Sequence, residues 1–303
     1  MSAHATDVIT NASDRPESRA RFEDPENFFA FKWPEVPRHL FVKEREQAFA
    51  ETAKTGEIAL DVSDQLQTPY AATTPLLLAR YVVVRANTTL DVDRLASAEI
   101  FYVMKGRGES AGHGDTMAWD AGDVFMFPGG AVQHRAETDA VLFTVCNEPL
   151  LRYESCVPNP AGHARVFPTV WKKSETDRHF EPILNRPDTE ETAGRALQLT
   201  TAAMSPAKHP VPTINVAFNT LEPGKNQRPH RHNGVAITLA IVGDGVHSMI
   251  EDQQVDWQNG VAMITPATEL HSHHNRGERR MESIVFQDEG LHFYTRTPGF
   301  SWT

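Results

Sequence analysis

The chain has 303 residues, 40% apolar and 23% charged, the balance of a folded chain of about two domains and not of a disordered one. Forty acidic against 29 basic residues give a formal net charge of −11, which argues against nucleic acid as the main partner. No apolar run is long enough to cross a bilayer, the first residues lack a secretory pattern, and Cys146 and Cys156 make neither a disulfide framework nor a cysteine zinc site; a cytoplasmic protein with reduced thiols and no membrane partner is expected.

Residues 1–65 read as an arm. A polar opening with Pro16 and Pro25 leads to the aromatic cluster Phe28, Phe31 and Trp33, and then to a short helix over 44–54, a stretch without Gly or Pro. Within 66–156 the texture changes to strand runs cut by turn residues: LLLARYVVVRA, EIFYVMKG, DVFMFPGG and AVLFTVC. Phe101, Tyr102, Phe125 and Phe127 stand at strand spacing and read as core. GESAG at 108–112 has the spacing of a nucleophile elbow, but a second glycine turn and no helix follows, so Ser110 reads as part of a β-turn. Residues 157–205 form a proline-bearing connector whose acidic run at 188–191 reads as a solvated loop or helix start. Strand runs return over 206–303: INVAFNTL, AITLAIVG, VHSMI, VAMITP, MESIVFQ and HFYTR.

The two strand-rich stretches repeat each other. EIFYVMKGRG (99–108) lines up with AITLAIVGDG (236–245), WDAGDVFMFP (119–128) with WQNGVAMITP (257–266), and His134 with His271. Tight G-x-G turns and the lack of helical crossovers favour an antiparallel barrel or jelly roll, present twice.

Histidines concentrate in the second copy, as Pro229-His230-Arg231-His232 and as Leu270-His271-Ser272-His273-His274-Asn275. Alternation along a strand points His230 and His232 the same way, and His271 opens the segment after Pro266, so the three can close on one ion. Imidazoles suit Fe, Zn, Cu or Ni, and three protein ligands leave positions open for catalysis. His247 and His274 read as exposed or turn histidines.

On these residues the C-terminal stretch resembles the cupin superfamily. Gly224, His230, His232 and Gly243 match its first motif; Gly260, Pro266, His271 and Asn275 match its second. Thr268 stands where the second motif has Gly, and Ala236 where many cupins carry a ligating Glu. Three-histidine cupins without that Glu are similar to the gentisate, salicylate and hydroxynaphthoate dioxygenases, which are bicupins; RPHRHNGVAITLAIVGDG, TPATELHSHHN and FQDEGL carry the likeness. The resemblance implies an all-β chain of two double-stranded β-helix barrels, an Fe(II) centre (Mn, Zn or Ni as alternatives), O2 as co-substrate, cleavage of a small hydroxylated aromatic, and a homo-oligomer, dimer or tetramer. It makes His230, His232 and His271 the metal ligands, and gives His273 and Asp288 catalytic, proton-handling or supporting positions. A non-oxygenase metal cupin (isomerase, lyase or decarboxylase) and a small-molecule-binding cupin are the alternatives.

Two departures bear on the substrate. Gentisate-type enzymes grip the substrate carboxylate with an Arg where this chain has Thr238, so either Arg80, Arg85, Arg231 or Arg296 takes over or the carboxylate is missing. Glu269 and Leu270 replace the aromatic expected before the third ligand. Carried back to the first copy, the site positions fall on Asp93, Leu95, Glu99 and His134, which lack the H-x-H pair, so 66–156 reads as a degenerate domain.

Overall fold

A computed structural model describes residues 19–22, 24, 33–158, 165–187, 189 and 194–302. Phe28 and Phe31, and most of the acidic run, lie outside the described residues; Trp33 is exposed. The fold is all-β and cupin-like, with three sheets and several short helices.

The expected helix is present as α1 (Val42–Phe49), and it is not alone: β1 (Gly56–Ala59) and the one-turn α2 (Ser63–Leu66) follow. Six strands then build the first β unit: β2 (Leu78–Val84), β3 (Thr89–Lys105), β4 (Arg107–Gly112), β5 (Asp115–Asp120), β6 (Val124–Ala136) and β7 (Ala140–Cys146). They form an antiparallel sheet in the order β1-β2-β7-β3-β6-β4-β5. Helix α3 (Glu148–Tyr153), β8 (Thr169–Trp171), which adds to β6, and α4 (Lys173–Leu184) lead out of it. LARYVVV and AVLFTVC are apolar almost throughout because β2 and β7 are buried at every position: one face meets the interior of their own unit, the other the second unit.

The second β unit holds β9 (Arg195–Gln198), β10 (Asn215–Leu221), β11 (His230–Arg231), β12 (Ala236–Val242), β13 (Val246–Ile250), β14 (Gln253–Asp256), β15 (Ala262–Thr265), β16 (His271–Asn275), β17 (Met281–Gln287), α5 (Glu289–Thr295) and β18 (Ser301–Trp302). One sheet runs β15-β12-β17-β10-β9, the other β14-β13-β16-β11-β18. Glycine is demanded where β13 begins. Gly245 has φ +73, and a Cβ there would sit 2.7 Å from the Gly277 Cα, so the turns before β13 and after β16 meet backbone to backbone.

The two units share one core, in which Phe143 and Phe286 pack with ring centroids 5.7 Å apart. The Tyr81 hydroxyl donates to Gly260 O at 2.7 Å and accepts from Ala262 N at 3.2 Å. The arm crosses to the second unit before the first is built: Phe41 N donates to Ala262 O at 3.0 Å and Ile264 N to His39 O at 2.9 Å, a strand-like pairing along β15.

The interiors differ in a way that decides where a ligand can go. The first is filled by Phe101, Trp119, Phe125 and Phe127, with Phe101 stacked on Phe125 at 4.7 Å. In the second, Ala217, Ala236 and Val285 occupy the inward face of the sheet, and a cavity of about 640 Å³ lies above them.

Candidate metal centre

Strands β11 and β16 pair antiparallel with His230 directly opposite His271, and His232 follows two residues later on the same side. The three rings lie 4.2 Å (His230–His271), 4.7 Å (His232–His271) and 5.8 Å (His230–His232) apart between centroids. One nitrogen from each falls within 4.8 Å of the others, and all three residues are buried at the edge of the cavity.

Local backbone fixes which nitrogen is presented. His230 Nδ1 is 3.1 Å from Arg228 O, His232 Nδ1 2.7 Å from Gly234 O, and His271 Nδ1 2.9 Å from Glu269 O. A carbonyl can only accept, so each Nδ1 carries the proton and each Nε2 keeps its lone pair. Every partner is two residues away in sequence, so the short segments around β11 and β16 set the tautomers themselves. Burial first, and then the neighbouring imidazoles, lower the pKa of His232 to about 4 and of His271 to about 2; burial also lowers that of His230. Three neutral, pre-oriented imidazoles with free Nε2 atoms form a metal-binding triad consistent with Fe(II). Ala236 leaves no carboxylate in the set. Its cross-strand neighbour Gln287 instead brings Nε2 to 3.2 Å from His232 Nε2.

His273 is buried beside the triad, its ring 6.1 Å from that of His271, and it lines the same cavity. Its Nδ1 lies 2.8 Å from Ser248 Oγ, which accepts from Trp257 Nε1 at 2.7 Å. Asp288 is buried too, but it touches no histidine ring: its Oδ1 accepts from Val235 N at 2.7 Å and so holds the turn whose Gly234 carbonyl orients His232. Burial raises its pKa to about 7. The neighbouring Glu289, not singled out in the sequence, is the acid that lines the cavity; burial raises its pKa to about 7 as well. His247 and His274 stack on each other at 4.8 Å on the outward face of their strands.

Thr268, at the motif's glycine position, has φ +65, a left-handed conformation costly for a β-branched residue. Its N–H donates to His232 O at 2.8 Å and its carbonyl accepts from Arg231 at 2.7 Å, so two hydrogen bonds to the ligand strand hold it there. Glu269 faces Arg38 of the arm in a two-point ion pair, at 2.7 and 3.0 Å.

The first unit repeats the supporting network and not the metal site. Ser110 pairs with His134 across β4 and β6 as Ser248 pairs with His273 across β13 and β16. Ser110 Oγ lies 2.7 Å from His134 Nδ1 and accepts from Trp119 Nε1 at 2.9 Å. His134 is therefore the counterpart of His273 and not of His271, as direct sequence alignment suggested. Counting from that pair places Val92, Arg94 and Val132 where the second unit has its three histidines. Asp93 points outward. Glu99 is bound by Arg94 Nε at 2.8 Å and Thr144 Oγ1 at 2.9 Å, with Arg94 also paired to Glu57. An internal ion pair thus occupies the ligand positions. Ser110 is an interior strand residue with no helix behind it.

None of the four arginines considered for a substrate carboxylate lines the cavity. Arg80 is in the first unit, 2.5 Å from Glu148 and 3.3 Å from Cys146 Sγ. Arg85 pairs with Asp139 at 3.0 Å, Arg231 with Glu251 at 2.9 Å, and Arg296 lies over the Tyr294 ring at the end of α5.

Comparison with known proteins agrees with this architecture. Residues 217–286 match the cupin domain family model. A 144-residue stretch is 26% identical to 5-aminosalicylate 1,2-dioxygenase of Comamonas sp., covering 46% of this chain and 36% of that protein. A 123-residue stretch is 27% identical to gentisate 1,2-dioxygenase of Streptomyces sp., covering 39% of this chain and 32% of that protein. These matches span about a third of the curated relatives' length. The salicylate 1,2-dioxygenase structure from Pseudaminobacter salicylatoxidans superposes with a TM-score of 0.73 at 14% identity, over 90% of this chain and 89% of that one. Its adduct with gentisate superposes at 0.72 and 13% identity, over 96% and 99%. The chain has a bicupin fold resembling that of the salicylate and gentisate dioxygenases. Among the described residues no helix is long and apolar enough to cross a membrane.

Proposed function

We propose that this chain is an Fe(II)-dependent, ring-cleaving dioxygenase of a small hydroxylated aromatic, with O2 as co-substrate. The observation that carries the reading is the triad: three buried imidazoles, each with Nδ1 tied to a carbonyl and Nε2 turned to a ring-sized cavity, without a carboxylate ligand. When bound, the iron supplies Lewis acidity toward a chelating ring and one-electron chemistry toward O2.

His230, His232 and His271 hold the metal. Asp288 positions His232 through the Val235–Gly234 turn, and removing such outer support costs metal sites about 10–100-fold in affinity or activity. His273 Nε2 takes the proton of the substrate hydroxyl: with the Ser248 hydroxyl directed to Met263 Sδ, Ser248 Oγ accepts from both Trp257 Nε1 and His273 Nδ1, which leaves the Nε2 lone pair as the basic atom. Ala217, Ala236 and Val285 give the ring an apolar floor and keep water from it. We assign 66–156 and 206–303 to two closed double-stranded β-helix barrels, with an arm over 1–65 and a connector over 157–205. We further place the protein in the cytoplasm as a homo-oligomer. The protein is loaded anaerobically with Fe(II) and O2 uptake is followed across catechols, aminophenols, gentisates and salicylates. Uptake is expected only with a chelating aromatic; turnover that proceeds equally without O2 makes the protein a lyase or isomerase.

A further inference from the structure

The wall of the cavity opposite the triad is made of the inward-facing residues of β12, β17 and β10. From Thr238 the row runs to its partner Val285 and on to Ala217; the next row runs from Ala236 to Gln287 and Asn215. Every one of these side chains is neutral. Among the described residues no Lys or Arg lines the cavity at all, and its only acid is Glu289. Arg80, Arg85, Arg231 and Arg296 are held by the partners named above, Arg228 lies over the Trp302 ring at 5.4 Å, and Arg195 donates to Arg186 O.

Besides the histidines, Glu289 and the hydroxyls of Thr238 and Thr265, the polar groups that face the cavity are amides. Gln198 Nε2 donates to Asn215 Oδ1 at 3.4 Å, Asn215 Nδ2 to Gln287 Oε1 at 3.3 Å, and Gln287 Nε2 reaches His232 Nε2. With His232 Nε2 engaged as a ligand, the Gln287 amide is released toward a ring substituent. Gln227 Oε1 is buried at the cavity with no partner, an acceptor waiting for a donor. A carboxylate on the far side of the ring would lie buried, without a cation and in the same cavity as Glu289, and burying an unpaired charge is among the costliest things a site can do. Amides meet uncharged hydroxyl and amino groups without that penalty.

Resting on the dioxygenase reading, we propose that the ring this site takes carries no ionised substituent beyond the pair that chelates the metal: it is a catechol- or 2-aminophenol-type compound, read by the amides of Gln227, Asn215 and Gln287, with no carboxylate on its remaining ring positions.

The test keeps the chelating pair constant and adds only the charge. Anaerobic Fe(II)-loaded protein is titrated by calorimetry with catechol against 3,4-dihydroxybenzoate, and with 2-aminophenol against 3-amino-4-hydroxybenzoate, whose carboxylates cannot reach the chelated metal. The uncharged member of each pair is expected to bind at least tenfold more tightly. Acids that bind as tightly as their uncharged partners, or more tightly, overturn the proposal and leave the dioxygenase reading standing. Failure of all four to bind, with no O2 uptake, overturns both. Thr238→Arg is expected to raise affinity for the acids at least tenfold; if it does not fold by thermal melt, Thr238→Lys and the wild-type ratios still decide.

Discussion

Replacing Ser248 with Ala removes one hydroxyl that serves two buried groups. Ser248 is fully buried, 2.7 Å from Trp257 Nε1 and 2.8 Å from His273 Nδ1. The alanine leaves an indole N–H and an imidazole nitrogen without partners, and each costs about 1–3 kcal/mol, so the loss is about 2–6 kcal/mol. Ser110→Ala repeats the perturbation in the first unit, where Trp119 Nε1 is at 2.9 Å and His134 Nδ1 at 2.7 Å, and the same loss is expected. A serine on the surface would change stability by about 0.5 kcal/mol or less. Urea unfolding of both variants, metal-free and at one pH, measures the loss. A change below about 1 kcal/mol in both would show that the serine does not hold these rings, and would remove the structural equivalence of His134 and His273 from which the repeat was aligned.

His230→Ala, His232→Ala and His271→Ala should each abolish stoichiometric metal binding by elemental analysis, whereas Asp93, Glu99 and His134 variants keep it; full metal content in any triad variant removes that residue from the site. His273→Ala should retain metal and lower turnover by about 10²-fold or more, the scale of a lost general base, and unchanged turnover makes it a packing residue like His134. Thr268→Gly should stabilise the protein by about 0.5–1 kcal/mol in chemical denaturation, the relief of a left-handed β-branched residue less the entropy of the unfolded glycine; destabilisation would mean that φ +65 carries no strain. Asp288 has a folded pKa raised to about 7 by burial, so its contribution to stability is full below the unfolded carboxylate value of about 3.9 and is lost as pH rises through 7. Metal-free Asp288→Asn should therefore gain on the wild type between pH 4 and 8, by up to a few kcal/mol; a difference that stays flat with pH refutes the raised value.

Much of this site could be read directly from the sequence, because its geometry is local. A strand alternates its faces, so H-x-H at 230 and 232 already means two rings on one side, and glycines at turn spacing already mean tight connections between strands. Thr268 in the motif's glycine position was visible as a departure, but its left-handed backbone was not. Even the tautomers of the three ligands are local, each fixed by a carbonyl two residues away. What the tertiary structure alone decided is non-local. Register placed His134 opposite Ser110 and so made it the partner of His273, since one residue of slip turns every side chain in a strand to the other face. Pairing across β3 and β6 put Val92, Arg94 and Val132 where the first unit might have held a metal, and aromatic packing filled its interior. The destination of each arginine, the crossing of residues 39–41 onto β15 and the neutral wall of Thr238, Asn215 and Gln287 depend on chain segments far apart in sequence. Their side chains meet only after the core has closed, because their contacts are set by the packing of whole sheets and not by spacing along one strand.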